Sequence, residues 1–97
     1  MVVLPDGLPV KVRFSAMRLV DGRRKDPDTG FESSVKRFVG QVIDLNGQPV
    51  MEIFDSLSEN LWQQLMPYAD DANLSSRQFT ITKTGSGYLT KFTVAVQ

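Results

Sequence analysis

A chain of 97 residues and 10.9 kDa is long enough for one hydrophobic core and too short for two, so a single domain spanning residues 1–97 is expected. It is 41% hydrophobic and carries 11 basic against 11 acidic side chains, with neither His nor Cys. That composition excludes disulfides, cysteine nucleophiles, histidine general bases and the usual zinc, haem and iron–sulfur ligands; no catalytic residue, metal or cofactor is expected, and the function is read as non-enzymatic. No apolar run approaches the roughly 20 residues of a membrane span, and Met1 to Asp6 carries no signal-peptide pattern. The expectation is a soluble, cytoplasmic protein.

Val10 to Ala16 alternates apolar with polar residues, which predicts a first strand with Val10, Val12, Phe14 and Ala16 inward and Lys11, Arg13 and Ser15 outward, continuing to Val20. Asp21 to Gly30 collects charges and turn formers with no hydrophobic side chain and predicts a long exposed loop. A second strand follows from Val35 to Asp44 with imperfect alternation. Either Val35, Val39 and Ile43 face the core, or Gly40 marks a bulge that switches faces. Asn46-Gly47 predicts a type I′ hairpin into a third strand, Pro49 to Phe54.

The period then changes. Ser56-Leu57-Ser58-Glu59 has capping-box spacing, with Ser56 as the cap, and Leu57, Leu61 and Leu65 flanked by Trp62 and Met66 form one apolar helical face that Pro67 ends. An acidic loop from Tyr68 to Ser76 precedes a fourth strand, Gln78 to Lys83. A flexible turn at Thr84-Gly85-Ser86-Gly87 leads to a fifth, Tyr88 to Val96, with Phe92, Val94 and Val96 on one face. Five strands with one helix between the third and fourth is the element order of the OB-fold, a mainly β, five-stranded Greek-key barrel.

Charge is distributed in three blocks. Residues 1–40 hold eight bases and five acids (+3), residues 41–76 six acids and no base (−6), and residues 77–97 three bases and no acid (+3). If the two ends pair in space, they form one positive surface and leave the acidic middle on another. OB barrels commonly bind nucleic acid or sugar across strands 2 and 3, between the loops joining strands 1 to 2 and 4 to 5. Those loops hold Arg23-Arg24-Lys25 and the turn flanked by Lys83, Tyr88 and Lys91. Candidate phosphate ligands are therefore Lys11, Arg13, Arg23, Arg24, Lys25, Lys36, Lys83 and Lys91, and candidate stacking side chains are Phe31, Phe38 and Tyr88. Phe14, Phe54, Phe79, Phe92 and Trp62 match core faces. Gly85-Ser86-Gly87 lacks the Lys-Ser/Thr of a phosphate-binding loop, and Asp26 to Gly30 lacks the distal ligands of a calcium loop.

The segment Leu61-Trp62-Gln63-Gln64-Leu65, followed by Phe79-Thr80-Ile81-Thr82-Lys83-Thr84-Gly85 and Thr90-Lys91-Phe92-Thr93-Val94, resembles the OB-fold single-stranded DNA-binding proteins of bacteriophages and mobile elements. The resemblance covers roughly half the chain. It implies sequence-tolerant binding of single-stranded DNA in replication, recombination or repair, in the host-cell cytoplasm, with RNA binding, homo-oligomerisation and a replication or host protein partner as open points. The chain ends at Ala95-Val96-Gln97, without the acidic tail many such proteins use for recruitment. The alternative is a small protein-interaction barrel, a phage accessory or inhibitor protein, whose acidic middle meets a host protein.

Overall fold

The computed structural model describes residues 2–85 and 90–97. Five antiparallel strands form one sheet in the order β3-β2-β1-β4-β5, where β1 is Pro9–Lys25, β2 Glu32–Leu45, β3 Gln48–Ser56, β4 Phe79–Thr84 and β5 Lys91–Val96. The helix α1, Glu59–Leu65, lies between β3 and β4. This is the strand order of an OB barrel, with the seam between β3 and β5 left open rather than closed by a strand pair. No described helix is long and apolar enough to cross a membrane.

Alternation on β1 and β2 builds the core. Val10, Val12 and Phe14 are buried, then the register slips around Ser15, so Ala16 turns outward, contrary to expectation, and Met17 inward. On β2 the inward row is Phe38, Gly40 and Val42, neither of the two predicted arrangements. Phe38 is fully buried, packed edge-to-face on Phe14 at 5.9 Å and on Phe54 at 6.1 Å between ring centroids. Its assignment as a base-stacking residue is therefore corrected: no ring face reaches solvent. Phe14 also meets Phe79 at 5.6 Å, so four phenylalanines from four strands share one cluster.

The open seam is bridged without a strand pair. Leu61 and Leu65 of α1 are buried in the core, and the polar flank of the helix turns to the edge of β5. Asn60 Oδ1 accepts from the Phe92 N–H at 2.7 Å, Gln64 Nε2 donates to the Phe92 carbonyl at 2.8 Å, and Gln64 Oε1 accepts from the Val94 N–H at 3.1 Å. Two side-chain amides thus meet backbone groups that a neighbouring strand would otherwise take. On the other side, the N-terminal segment carries buried Leu4, and the Val2 N–H donates to the Ile53 carbonyl of β3 at 3.0 Å.

The helix begins two residues later than expected. Ser58 is the N-cap, accepting from the Leu61 N–H, while Ser56 Oγ accepts from the Ser58 N–H. Leu57 consequently lies outside the helix and is exposed. The Asn46-Gly47 hairpin is as predicted, both residues having positive φ, 52° and 86°.

The largest departure is the segment expected to be a loop. β1 runs on to Lys25 and β2 starts at Glu32, in continuous register from Ala16↔Gln41 to Lys25↔Glu32. Residues 18–37 form a two-stranded ribbon in a molecule measuring 44 by 27 by 21 Å. Its tip is locked: the Asp26 N–H donates to the Phe31 carbonyl, the Gly30 N–H donates to the Asp26 carbonyl, and Asp26 Oδ1 accepts from the Asp28 N–H, each at 2.8 Å.

Candidate nucleic-acid interface

The register decides what the ribbon presents. Asp21, Arg23 and Lys25 stand opposite Lys36, Ser34 and Glu32 on the face that continues inward to Leu19 and Phe38. Arg18, Val20, Gly22 and Arg24 stand opposite Val39, Arg37, Val35 and Ser33 on the other. Six bases and four acids lie within residues 18–37, a net +2. Much of this charge is paired locally: Lys36 Nζ sits 2.7 Å from Asp21 Oδ1, Arg23 3.3 Å from Glu32, and Arg37 3.4 Å from Asp55 of β3. The Lys36 hydrogen bond, together with its charge, holds the Asp21 carboxyl below the usual carboxylate range. The first two pairs are solvent-exposed, so they contribute little and an incoming phosphate competes with them readily.

Alongside the ribbon a cleft of about 760 Å³ opens between β2, the corner from β3 into α1, and the residues that start β5. Arg24 and Lys36 line it from the ribbon, Glu59 and Trp62 from α1, Phe92 from β5 and Thr90 from just before that strand. Ser34, Val35, Ser56, Leu57 and Ser58 complete the wall. Trp62 and Phe92 are half-buried: each packs against the core on one side and borders the cleft on another. Both match core faces in the sequence, and their second role was not legible there, because periodicity reports which side of an element is apolar but not where an end of the barrel opens.

The predicted cations do not all gather here. Arg24 and Lys36 line the cleft; Arg23 and Lys25 flank Arg24 in the strand but stand on the other ribbon face, the one that bears Lys36, and Phe31 stands 77% exposed at the tip. Lys11 and Arg13 belong to the barrel end of β1. Lys11 is paired in register with Thr80, and Arg13 donates to the Ser76 carbonyl at 3.1 Å, a contact that ties β1 to the turn before β4. Arg23 is twelve residues beyond Lys11, up to about 40 Å of extended strand. Lys83 lies on the inward row opposite Phe92, beside Val2, Leu4 and Phe54 at the seam, and Lys91 faces outward opposite Thr84. Tyr88 and the Ser86-Gly87 part of the predicted turn lie outside the described residues. Nor is the acidic middle segregated: Asp55 pairs with Arg37, Asp71 with Arg77, and Glu59 lines the cleft with the cations.

Arg18 and Arg37 escaped the sequence reading. They lie on the ribbon face opposite to Lys36, a placement that only the continuous β1–β2 register reveals. Among the described residues no cluster of three or more metal-ligating side chains converges.

Comparison with protein-family models, with curated proteins and with solved structures finds no match to this chain. The functional reading therefore rests on the ribbon and the cleft themselves.

Proposed function

We propose that this protein binds single-stranded DNA, with the ribbon tracking the phosphate backbone and the cleft beside it holding unpaired bases. The observation that carries this reading is the convergence of Arg24 and Lys36 with Trp62 and Phe92 on one open cleft. Cations alone suit any polyanion; cations beside flat side chains suit a strand whose bases are free to stack, each stacked base being worth about 1–3 kcal/mol. Arg23 and Lys25 carry positive charge along the ribbon face that bears Lys36, and Phe31 offers a further exposed ring at the tip. A neutral chain has no bulk attraction for nucleic acid, so this local ordering of charge is what the reading requires. It agrees with the resemblance to phage and mobile-element DNA-binding proteins, and with a non-enzymatic role in replication, recombination or repair in a host cytoplasm.

A second reading has one specific observation in its favour. Met51, 98% exposed, and Ile53, 42% exposed, stand on the outer face of β3 within the acidic segment, beside Ile43. Such a patch suits a protein partner.

Fluorescence anisotropy with labelled oligothymidine at two salt concentrations separates the two. Four to six neutralised phosphates give a slope of log affinity against log salt of about −3 to −4 on single strands. The Arg23→Ala/Arg24→Ala/Lys25→Ala variant is expected to lose most of the affinity. Salt-independent binding, or preference for duplex, refutes the proposal.

A further inference from the structure

Glu59 is the anomaly of the cleft. A carboxylate lining a site for a polyanion repels phosphate, and among the lining residues it is the sole acid beside Arg24 and Lys36. It stands three positions before Trp62 on α1, the spacing that puts two side chains on the same helical face. Gln63 Nε2 donates to its Oε1 at 3.0 Å, which fixes the side chain through one oxygen. Lys36 is taken by Asp21, and none of the ion pairs among the described residues includes Glu59.

We infer that the cleft is a base-reading subsite selective for guanine, in which the base stacks on Trp62 and Glu59 accepts from its Watson–Crick edge. This rests on the nucleic-acid reading above and departs from the sequence-tolerant binding implied by the resemblance. The argument is one of donor pattern. An unpaired base exposes its whole Watson–Crick edge. Guanine alone presents two adjacent donors there, N1–H and N2–H, spaced to meet the two oxygens of one carboxylate. Adenine and cytosine each place an acceptor beside a single amino donor, and thymine flanks its N3–H with two carbonyls. An acceptor-only group next to a stacking ring therefore fits guanine and turns a repulsive lone pair toward each of the others. Lys36 and Arg24, which line the cleft from the two faces of the ribbon, are placed for the flanking phosphates, so the carboxylate serves the base while the cations serve the backbone.

The test uses the full chain and a labelled 12-nucleotide oligothymidine, compared with the same strand carrying one central guanine or one central hypoxanthine, which keeps N1–H and lacks the amino group. The guanine strand is expected to bind about tenfold tighter than oligothymidine, the yield of one bidentate base contact, with hypoxanthine in between. Glu59→Gln is expected to bring the guanine-to-thymine affinity ratio close to one, with circular dichroism confirming the fold. A titration of guanosine and thymidine 5′-monophosphates, followed by the emission of Trp62, the chain's single Trp, reads the subsite without a strand. Only the guanine nucleotide is expected to alter emission. Equal affinity for the guanine and thymine strands, or a preference that survives Glu59→Gln, overturns the subsite while leaving strand binding intact. Failure of every strand to bind at low salt overturns the reading beneath it. In that case a response to guanosine monophosphate alone still upholds the subsite, and no response to either nucleotide removes both.

Discussion

Gly40 of β2 lies flat against the ring of Phe14: a Cβ at this position would stand 2.5 Å from Cε1 and 2.7 Å from Cδ1 of that ring, and 3.0 Å from Cε2 of Phe38. The ring has nowhere to go, because Phe38, Phe54 and Phe79 meet it edge-on. Gly40→Ala is therefore expected to destabilise the fold by about 1–3 kcal/mol through overpacking, despite adding one methyl group in a strand. Urea denaturation should show a lower midpoint at unchanged slope. A variant as stable as the parent would show that the Phe14 ring is not confined.

Phe38 and Trp62 should behave oppositely. Phe38 is fully buried, so Phe38→Ala is expected to cost about 3–5 kcal/mol of stability. Under conditions where the variant is still folded, its affinity for oligothymidine should match that of the parent. Trp62 borders the cleft, and its emission should change as an oligonucleotide is added. Anisotropy on the folded fraction, with emission titrations on the parent, checks both.

The contrast shows what a one-dimensional pattern carries. The hairpin at Asn46-Gly47 was legible because positive φ at both positions demands those residue types, and β4 and β5 were legible because their alternation is unbroken. The ribbon was not. Arg23, Arg24, Lys25 and Glu32 are polar on both faces, which reads as loop, yet they extend ladders begun by the apolar pairs Met17↔Gly40 and Leu19↔Phe38. Pairing propagates outward from a buried nucleus without needing a hydrophobic side of its own. The inward row of β2 was obscured for a related reason: it contains Gly40, whose lack of a side chain is itself the core-packing solution against Phe14. Of the predicted site, Arg24 and Lys36 both line the cleft although they stand three rungs apart and on opposite faces of the ribbon, a convergence no strand pattern reports, whereas Lys11 and Arg13 sit at the other end of the strand.

The amide of Gln64 bonds the Phe92 carbonyl and the Val94 N–H together. Gln64→Ala removes both partners from a part-buried edge and is expected to cost about 1–3 kcal/mol. Gln64→Glu keeps an acceptor for Val94 but sets a second acceptor against the Phe92 carbonyl, so it should be no better. Hydrogen exchange should report faster exchange of the Val94 amide in both variants. Unchanged protection would mean that the seam is held elsewhere.

Asp71 gives the fold an acid-sensitive contact. The Asn73 N–H, at 2.8 Å, and the Arg77 guanidinium both bond its carboxylate and hold its pKa below the ordinary value, while Arg77 also lies over the Tyr68 ring at 5.6 Å. A carboxyl whose pKa is lower folded than unfolded stabilises the fold above the ordinary aspartate range, and the contribution fades as pH falls below about 4. The denaturation midpoint should drop between pH 6 and pH 3, and Asp71→Asn should show a shallower drop. Equal slopes in the two proteins would place the acid sensitivity on other carboxylates.

The cleft and the far end of β1 make different demands on single lysines. Lys36 lines the cleft in an exposed pair with Asp21, whereas Lys11 stands at the barrel end of β1 opposite Thr80. Both have the same charge, so bulk electrostatics treats them alike, while a strand seated in the cleft does not. Lys36→Ala is expected to weaken oligothymidine binding several-fold and to reduce the magnitude of the salt slope by about 0.7, the value of one phosphate contact on a single strand. Lys11→Ala should change neither beyond the small effect of removing a remote charge. Anisotropy at several salt concentrations measures both slopes. If the two variants lose affinity equally, the strand follows the outer face of β1 and β4 instead of the cleft.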